Sequence, residues 1–568
     1  MIPKIKKLIQ DALKELGLES FQNTFDVSHP KNIDFGDYST NIGIIMGTSN
    51  KVFDIIKYLQ GHKPAEVDRI EERMGFINFY LSPEFFANSI EEINKAGEEY
   101  GKTTLLKGQK IMVEYTDPNP FKEFHIGHLM DNAIGESVAR IIEASGAQVK
   151  KANWQGDVGM HVASAVWGIL DSGLSVDSMN PNDLGKAYAH GATRAKEDEN
   201  VKKEIGEINK HIFTRDDANI NHVYDTGRQI SLDYFETIYK RLGTKFDYYF
   251  FESKEGIEGK LMVEAHLDDG IFEKSEGAII FRGEKYALHT RVFINSNGLP
   301  TYEAKELGLN KKKFEIEPDL SKSIIFSANE ISEYFKVLLK VMSLILPEVA
   351  EKTVHMPHGM LKLPTGKMSS RTGDVITAER LIGEVKEKVL EKLKDREYSK
   401  DEKESISEVV AVGAIKYSIL RQSIGGDIIF DFDKSLSFEG DSGPYLQYTY
   451  VRTKSVLEKA QHLTPDPSPR SRRGEKERPE NFEITEVEKM LYRFTEVVER
   501  AGREYAPHYI VTYLTELAAA FNSFYGNEKI IDTSDSVSSA YKLSLTLAVS
   551  HALKNGLYLL GIKVPERM

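Results

Sequence analysis

The sequence predicts a mixed α/β protein in three parts: a small α/β domain over residues 1–105, a parallel-sheet α/β domain over 106–380 and an all-α helical bundle over 381–568. Three observations support this. The first hundred residues mix amphipathic helices with a strand, a strand–loop–helix unit begins near residue 110, and the last third repeats apolar residues at helical spacing. A chain of 568 residues has room for three or four domains of ordinary size.

Composition narrows the classes of function. The chain has no cysteine, which excludes a disulfide framework, a thiolate nucleophile, an iron–sulfur cluster and a cysteine-ligated zinc site. No apolar run approaches the roughly 18 residues that span a bilayer. Residues 1–17 are amphipathic and lack the unbroken apolar stretch of a signal peptide. We therefore expect a cytoplasmic protein with no membrane partner.

Net charge is a weaker guide. Lys and Arg number 74 and Asp and Glu number 87, so the formal net charge is −13. An acidic total disfavours a protein that coats nucleic acid without specificity, and we expect no DNA partner. A large enzyme that binds one RNA along a selected face is compatible with this charge.

The first domain is predicted from two helices and a strand. Apolar residues recur at helical spacing from Ile5 to Leu16, and Gly17 follows as a stop signal. A second helical pattern runs from Val52 to Leu59, and residues 75–81 have the pattern of a strand. No cluster of reactive side chains lies here, so we assign this domain to binding or to structure.

The second domain begins with an apolar strand at 110–116, which the sequence Asp-Pro-Asn-Pro then breaks. The tetrapeptide His-Ile-Gly-His at 125–128 opens a helical pattern that stops at Gly146. Strand, proline-rich loop and helix start form the front half of a βαβ unit. Residues from about 165 to 285 are more charged and less regular, which indicates an insertion. Further strands are predicted at 278–281, 292–294 and 323–327.

The pattern from about residue 381 onward is almost wholly helical, which predicts a bundle. A segment rich in proline, serine and arginine interrupts it at 464–479. Such a composition builds no core, so we expect a flexible loop. A tolerated surface insertion is favoured there over a basic contact with RNA.

Two short motifs carry the chemistry. His125 and His128 stand at a strand-to-helix turn, where the free N–H groups of a helix start favour anions. Their imidazoles can donate hydrogen bonds to phosphate oxygens, and Gly127 lets a nucleotide approach the backbone. The glycine-bounded basic segment GKMSSRTG at 366–373 can close over the remaining phosphates. These residue types suit phosphoryl or nucleotidyl transfer, which needs positioning and charge neutralisation.

Either motif alone occurs by chance in many chains, but the two in this order are much more specific. The pair resembles the HIGH and KMSKS motifs of class I aminoacyl-tRNA synthetases, and nearly the whole chain resembles the arginyl-tRNA synthetase family. The segments that carry this resemblance are GDYSTN at 36–41, GFINF at 75–79, NWQGD at 153–157, TYEAKE at 301–306, GPYLQY at 443–448 and the ending PERM at 565–568.

The resemblance implies a Rossmann-like catalytic domain, a tRNA-binding N-terminal domain and an anticodon-binding helical domain. It implies that ATP and arginine give arginyl-adenylate and pyrophosphate, with Mg²⁺ carried on the nucleotide and no structural metal. The arginyl group would then pass to the 2′-hydroxyl of the terminal adenosine of tRNA(Arg). In related enzymes the first step typically needs bound tRNA. We expect the protein to be a monomer.

The resemblance also assigns the amino-acid site. A guanidinium needs carboxylates that accept its forked donors, and Glu114 ends the first strand of the sheet, where ligands of α/β proteins bind. Tyr302 and Glu306 lie four residues apart and share one helix face. Glu306 stands where many relatives carry Asp, which lengthens its reach by one methylene. By matching positions, the arginine-binding residues are Glu114, Asn119, Tyr302, Glu306 and, less closely, Asn329.

Matching positions also assign the nucleotide and tRNA sites. The catalytic residues are His125, His128, Lys122 and Lys367, and the ATP-binding residues are Gly127, Ser369, Ser370 and Arg371. The tRNA-binding residues are Tyr445, Tyr448, Arg452, Met568 and, in the N-terminal domain, Asn78. The two tyrosines and Arg452 form one helical stripe suited to stacking on splayed anticodon bases, although a core stripe is the competing interpretation.

The basic loop departs from the family pattern. Ser370 replaces the usual second lysine, which leaves Lys367 and Arg371 as its cations. Lys122 lies three residues before His125. We hypothesise that Lys122 supplies the missing positive charge to the triphosphate from the other side of the site.

Three other functions are compatible with parts of the sequence. A pantothenate synthetase-like ligase would explain the histidines but neither the N-terminal domain nor the helical third. A lysine-specific synthetase is chemically closest, and only the pattern around Glu114, Tyr302 and Glu306 argues against it, whereas the missing cysteines exclude a cysteinyl enzyme. A catalytically silent RNA-binding paralogue would not need the two histidines and Lys367.

Overall fold

The computed structural model describes residues 1–47, 50–362, 376–463, 478–479 and 482–568. These residues form two compact units, which are considered separately below. The first unit comprises 1–101, 448–497 and 513–555, and the second comprises 102–447, 498–512 and 556–568. The basic loop residues Lys367, Ser369, Ser370 and Arg371 lie outside the described residues, as does most of the predicted loop at 464–479.

The N-terminal part of the first unit is a four-stranded antiparallel sheet with helices, in the strand order β1-β2-β4-β3. Helix α1 forms because Ile5, Ile9 and Leu13 recur on one face and are fully buried. The predicted helices and strand are confirmed as α1, α3 and β4. The elements are α1 (Ile2–Glu15), β1 (Val27–Ser28), β2 (Tyr38–Thr40), α2 (Ile42–Met46), α3 (Asn50–Gly61), β3 (Val67–Arg73), β4 (Phe76–Leu81) and α4 (Pro83–Ala96).

Asn78 lies in β4, opposite Ser39 of β2 and Glu71 of β3. Its side chain is only 2% exposed. The sheet therefore leaves almost no surface of this residue for an RNA to touch, and its predicted contact with tRNA would require the side chain to turn outward.

The second unit is built on a five-stranded sheet in the order β12-β11-β5-β6-β7, and all of its pairings are parallel. This confirms the predicted parallel-sheet α/β domain. Its elements up to the last strand are β5 (Lys110–Glu114), α5 (Ile126–Ala144), β6 (Gln148–Gln155), α6 (Met160–Ser172), α7 (Pro181–Glu197), α8 (Glu199–Thr214), α9 (Ala218–Leu242), β7 (Tyr248–Phe251), α10 (Glu252–Ala265), β8 (Glu273–Ser275), β9 (Ala278–Phe281), β10 (Arg291–Ile294), α11 (Tyr302–Ile316), β11 (Lys322–Ala328), α12 (Ser332–Ile345), α13 (Pro347–Lys352) and β12 (Thr353–His358).

The segment predicted as an insertion differs from the expectation in one respect. Strand β7 falls within it but belongs to the main sheet, where Phe250 pairs with Trp154 of β6. The strands predicted at 278–281 and 292–294 instead form a separate antiparallel sheet with β8. A four-residue aromatic edge strand gives too short a pattern to recognise among charged helices.

The remaining elements are almost wholly helical, as predicted. They are β13 (Leu361–Lys362), α14 (Ala378–Lys392), α15 (Lys400–Leu420), β14 (Ile428–Ile429), α16 (Phe432–Ser435), α17 (Gly443–Leu463), α18 (Glu486–Leu491), α19 (Phe494–Glu504), α20 (His508–Asn527) and α21 (Ser536–Leu559). Within the described ranges, no helix combines the length and apolar character needed to cross a membrane.

Candidate active site

The predicted site residues of the second unit gather at one edge of the parallel sheet. Glu114 is the last residue of β5, and Asn329 directly follows β11. Glu252, which the sequence did not suggest, directly follows β7. Because parallel strands present their carboxyl ends at one edge, these side chains come from the same side of the sheet. The loop from Glu114 to His125 and the start of α5 lie at this edge, where Rossmann-like folds bind their ligands.

His125 and His128 form a reciprocal cap at the start of α5. The Nδ1 atom of His125 accepts the backbone N–H groups of Gly127 at 3.1 Å and His128 at 3.3 Å. The Nδ1 atom of His128 accepts the N–H of His125 at 3.3 Å, and the ring centroids lie 3.5 Å apart. A neutral imidazole whose Nδ1 accepts must carry its proton on Nε2. Both rings therefore keep an Nε2–H donor for a ligand.

Burial keeps these imidazoles neutral. It lowers the pKa of His125 to about 4, with the charge of Lys122 acting in the same direction. The pKa of His128 lies well below its usual range for the same reason, helped by His125 and Lys122. A Cβ at Gly127 would stand 2.9 Å from the His125 ring, so a side chain there would push the ring off its cap. The site thus offers two uncharged donors at a helix start.

Strain is concentrated in the loop between β5 and α5. Thr116 and Asp117 have φ angles of 86° and 38°, in the left-handed region that costs free energy for a residue with a Cβ. The Thr116 N–H donates to Asp131 at 2.8 Å, and the Trp154 N–H donates to Asp117 at 2.8 Å. These bonds hold the loop in a conformation it would not adopt alone, as at many ligand sites.

The two predicted carboxylates interact. Burial raises the pKa of Glu306 to about 8, and the charge of Glu114 adds to that rise while Lys313 opposes it. Glu114 is 1% exposed, and its Oε2 lies 2.7 Å from the Nζ of Lys313. Burial and the Glu114 charge also hold the pKa of Asp117 well above its usual value. These buried carboxyl groups form an acidic pocket that favours the binding of a cation.

Other predicted residues lie around the pocket. Tyr302 begins α11 and is 55% exposed. Asn119 touches Gly156, where any Cβ would overlap its Oδ1. Asn329 is exposed in a short 3-10 turn directly after β11.

Sequence reasoning missed two buried lysines. Lys313 pairs with Glu114, and Lys305 pairs with Glu252 at 2.6 Å with both side chains at most 5% exposed. Both lie in the lysine-rich helix α11, whose composition suggests a solvated surface. The one available signal is spacing: Lys313 stands seven residues after Glu306 and therefore on the same helix face.

Residues 376–378, which follow the basic segment in the sequence, lie beside the start of α5. The N–H of Ile126 donates to the carbonyl of Ile376 at 3.3 Å, and the N–H of Ala378 donates to the carbonyl of Phe124 at 2.8 Å. The described chain therefore resumes at residue 376 directly against the start of α5.

The predicted tRNA residues on α17 lie on both sides of a unit boundary. In the first unit, the Arg452 guanidinium lies 4.9 Å from the ring centroids of both Tyr448 and Tyr525, and it donates to Asn522. Tyr525 is 42% exposed. In the second unit, Tyr445 and Met568 are half-buried. Two tyrosine rings beside an arginine suit base stacking, and Tyr525 adds a ring that the sequence did not suggest.

The parallel sheet, the histidine cap at the start of α5 and the acidic pocket at the sheet edge are together the features of a class I aminoacyl-tRNA synthetase. The sequence matches three family descriptions: "tRNA synthetases class I (R), catalytic domain" over 89–432, "DALR anticodon binding domain" over 446–568 and "Arginyl tRNA synthetase N terminal domain" over 3–81. The chain belongs to the arginyl-tRNA synthetase family.

Relatives match along the whole chain. The arginine–tRNA ligase of Halothermothrix orenii is 29% identical over 100% of this chain and 99% of its own length, and that of Flavobacterium psychrophilum is 30% identical over 89% and 87%. Among solved structures, the Thermus thermophilus arginyl-tRNA synthetase aligns with a TM-score of 0.78 at 24% identity over 100% of both chains. The Plasmodium falciparum arginyl-tRNA synthetase aligns with a TM-score of 0.76 at 19% identity over 100% and 99%.

Proposed function

We propose that the protein joins arginine to tRNA(Arg) in translation. A carboxylate oxygen of arginine attacks the α-phosphorus of ATP, which forms arginyl-adenylate and expels pyrophosphate. The 2′-hydroxyl of the terminal adenosine of tRNA then attacks the arginyl carbonyl carbon, and AMP leaves. The observation that carries this proposal is the buried pair Glu114 and Glu306 at the sheet edge that also bears the histidine cap.

The histidine cap at the start of α5 indicates where the nucleotide would bind. The Nε2–H groups of His125 and His128 would donate to oxygens of the triphosphate, where negative charge grows as pyrophosphate leaves. The N–H groups at the start of α5 favour the same anion. Lys367, Ser369, Ser370 and Arg371 would cover the phosphates from the loop. Mg²⁺ would arrive on the nucleotide; in the described part of the chain, no group of three acidic or histidine side chains is placed to hold a metal.

The acidic pocket around Glu114 and Glu306 indicates where arginine would bind. Glu114 and Glu306 would accept the two sides of the planar guanidinium, which presents its donors in a fork. Asn119, Tyr302 and Asn329 would line the rest of the amino acid. A lysine side chain offers one compact charge and leaves part of this acceptor set unpaired, which costs binding free energy.

The tRNA contacts are proposed from the first unit and the end of the chain. Tyr448 and Arg452 would stack on anticodon bases, Tyr445 and Met568 would add contacts from the second unit, and Asn78 would touch the tRNA elbow. We also propose that the enzyme works in the cytoplasm, and that it works as a monomer, since the residues assigned above to arginine, ATP and tRNA can all be supplied by one chain. Light scattering after size-exclusion chromatography measures the oligomeric state.

Exchange of pyrophosphate into ATP tests the reaction. We expect exchange with arginine alone among the common amino acids, and only when total tRNA is present. The control omits tRNA, and transfer of labelled arginine to tRNA confirms the second step. Exchange with lysine in place of arginine, or with no amino acid at all, would overturn the proposal.

Replacing Lys122 with alanine is expected to slow tRNA-dependent exchange about 10²-fold, the usual worth of one charged contact to a transition state. The positive charge of Lys122 adds to burial in lowering the pKa of both imidazoles. Its Nζ lies 4.8 Å from the ring centroid of Tyr188. Lys186→Ala, at a side chain 70% exposed, is the matched control. A rate within a few-fold of wild type for Lys122→Ala would show that this lysine does not serve the triphosphate.

A further inference from the structure

The arginine pocket contains a cation of its own. Lys313 lies on α11 and its side chain is 0% exposed, while Glu114 beneath it is 1% exposed. The Lys313 Nζ and Glu114 Oε2 atoms are 2.7 Å apart. Neither oxygen of Glu114 nor the Lys313 nitrogen makes an aligned hydrogen bond with any residue that the structure describes. A buried ion pair with unused hydrogen-bonding capacity points to a ligand that completes it.

The balance of charges among these buried side chains indicates a role for Lys313. Two neighbouring buried carboxylates do not both ionise unless positive charge lies beside them. Other acids that act on Glu306 or Asp117 are Asp131 and Glu252. Each has a partner of its own: the Lys305 Nζ lies 2.6 Å from Glu252, and the His358 Nε2 lies 3.5 Å from Asp131. Tyr334 of α12 also faces this cluster, and as a neutral phenol it supplies no positive charge. Lys313 is therefore the cation that offsets Glu114.

We propose that Lys313 is a positioning residue for arginine: its ammonium, 2.7 Å from the buried Glu114 carboxylate, balances that negative charge and holds the carboxylate where it accepts the guanidinium. The inference rests on the proposed function. Before arginine binds, Lys313 balances the charge of Glu114, and Glu306 carries a proton near neutral pH because burial raises its pKa to about 8. In the occupied pocket, two carboxylates balance Lys313 and the guanidinium. Arginine binding would thus exchange a proton for a guanidinium at constant net charge.

Titration of the full-length protein with L-arginine in a calorimeter tests this. We expect Lys313→Met to bind arginine about tenfold more weakly than wild type near pH 7 and to recover as the pH rises toward about 9. The reason is that each pH unit below a raised carboxyl pKa costs up to about tenfold in affinity. Lys312→Met, at the neighbouring side chain that is 43% exposed, is the matched control and should bind like wild type.

Two outcomes would overturn the role of Lys313. Unchanged affinity in Lys313→Met near pH 7 would show that Glu114 does not need it, and an equal loss at every pH would indicate packing alone. Because removing half of a buried pair can prevent folding, Lys313→Gln is the second variant; it keeps a donor but not the charge. It should show the same pH-dependent loss.

Wild-type protein supplies a separate measurement that needs no variant. Repeating the titration in buffers of different ionisation enthalpy counts protons, and we expect close to one proton released per arginine near pH 7. A count of zero would overturn the charge-balance argument even if arginine binds. Failure of wild type to bind arginine at all would instead overturn the proposed function, and this inference with it.

Discussion

Glu306→Gln is expected to raise the KM for arginine about 10²-fold while kcat changes much less. Removing one charged partner of a buried contact costs roughly 3 kcal/mol, which corresponds to about that factor. The fold should survive, because burial keeps Glu306 protonated near neutral pH and glutamine resembles the protonated acid in size and polarity. Arginine-dependent exchange of pyrophosphate into ATP, with tRNA present, measures both constants.

Two further variants test whether the change in KM is specific to the carboxylate of Glu306. Glu315→Gln changes a carboxylate on the same helix that is 47% exposed, and it should leave KM unchanged. Glu306→Asp keeps the charge and withdraws it by one methylene, so a KM within about tenfold of wild type is expected. If Glu306→Gln kept a KM within two- to three-fold of wild type, Glu306 would not contact the guanidinium.

Much of the fold could be predicted because its signals are local. Helix α1 and strand β4 carry the periodicities of 3.6 and 2 over enough residues to be recognised. The turn from β5 into α5 is marked by prolines before it and by the histidine cap within it. Strand β7 was missed because four aromatic residues at a sheet edge look the same as apolar residues of a helix.

The site could be predicted less completely. The roles of Glu114 and Glu306 are predicted by resemblance, with support for Glu114 from the rule that ligands bind at strand ends and for Glu306 from helix spacing. Lys313 was not, because its pairing joins residues about 200 positions apart and depends on how α11 packs against the sheet. For Asn78 the resemblance predicts a contact with tRNA, and the sequence did not show that its place in a central strand leaves it only 2% exposed.

Replacing His125 with asparagine is expected to slow pyrophosphate exchange by about 10²–10³-fold without a comparable loss of stability. Asparagine is a preferred first residue of a helix, and its side-chain oxygen can accept the N–H groups that the Nδ1 of His125 accepts now. It cannot replace the Nε2–H donor, whose loss removes one contact to the charge that develops in the transition state. Steady-state exchange and thermal unfolding measure the two effects separately.

His125→Ala separates capping from catalysis, because it removes both the cap and the donor. It should slow the reaction as much as His125→Asn but also lower the free energy of unfolding by about 1 kcal/mol. The wild-type rate should show no step attributable to His125 between about pH 6 and about pH 8, because its pKa of about 4 keeps the ring neutral there. If His125→Asn instead retained the wild-type rate, the imidazole would serve only to cap α5. The phosphate contacts would then have to come from His128, Lys122 and the basic loop.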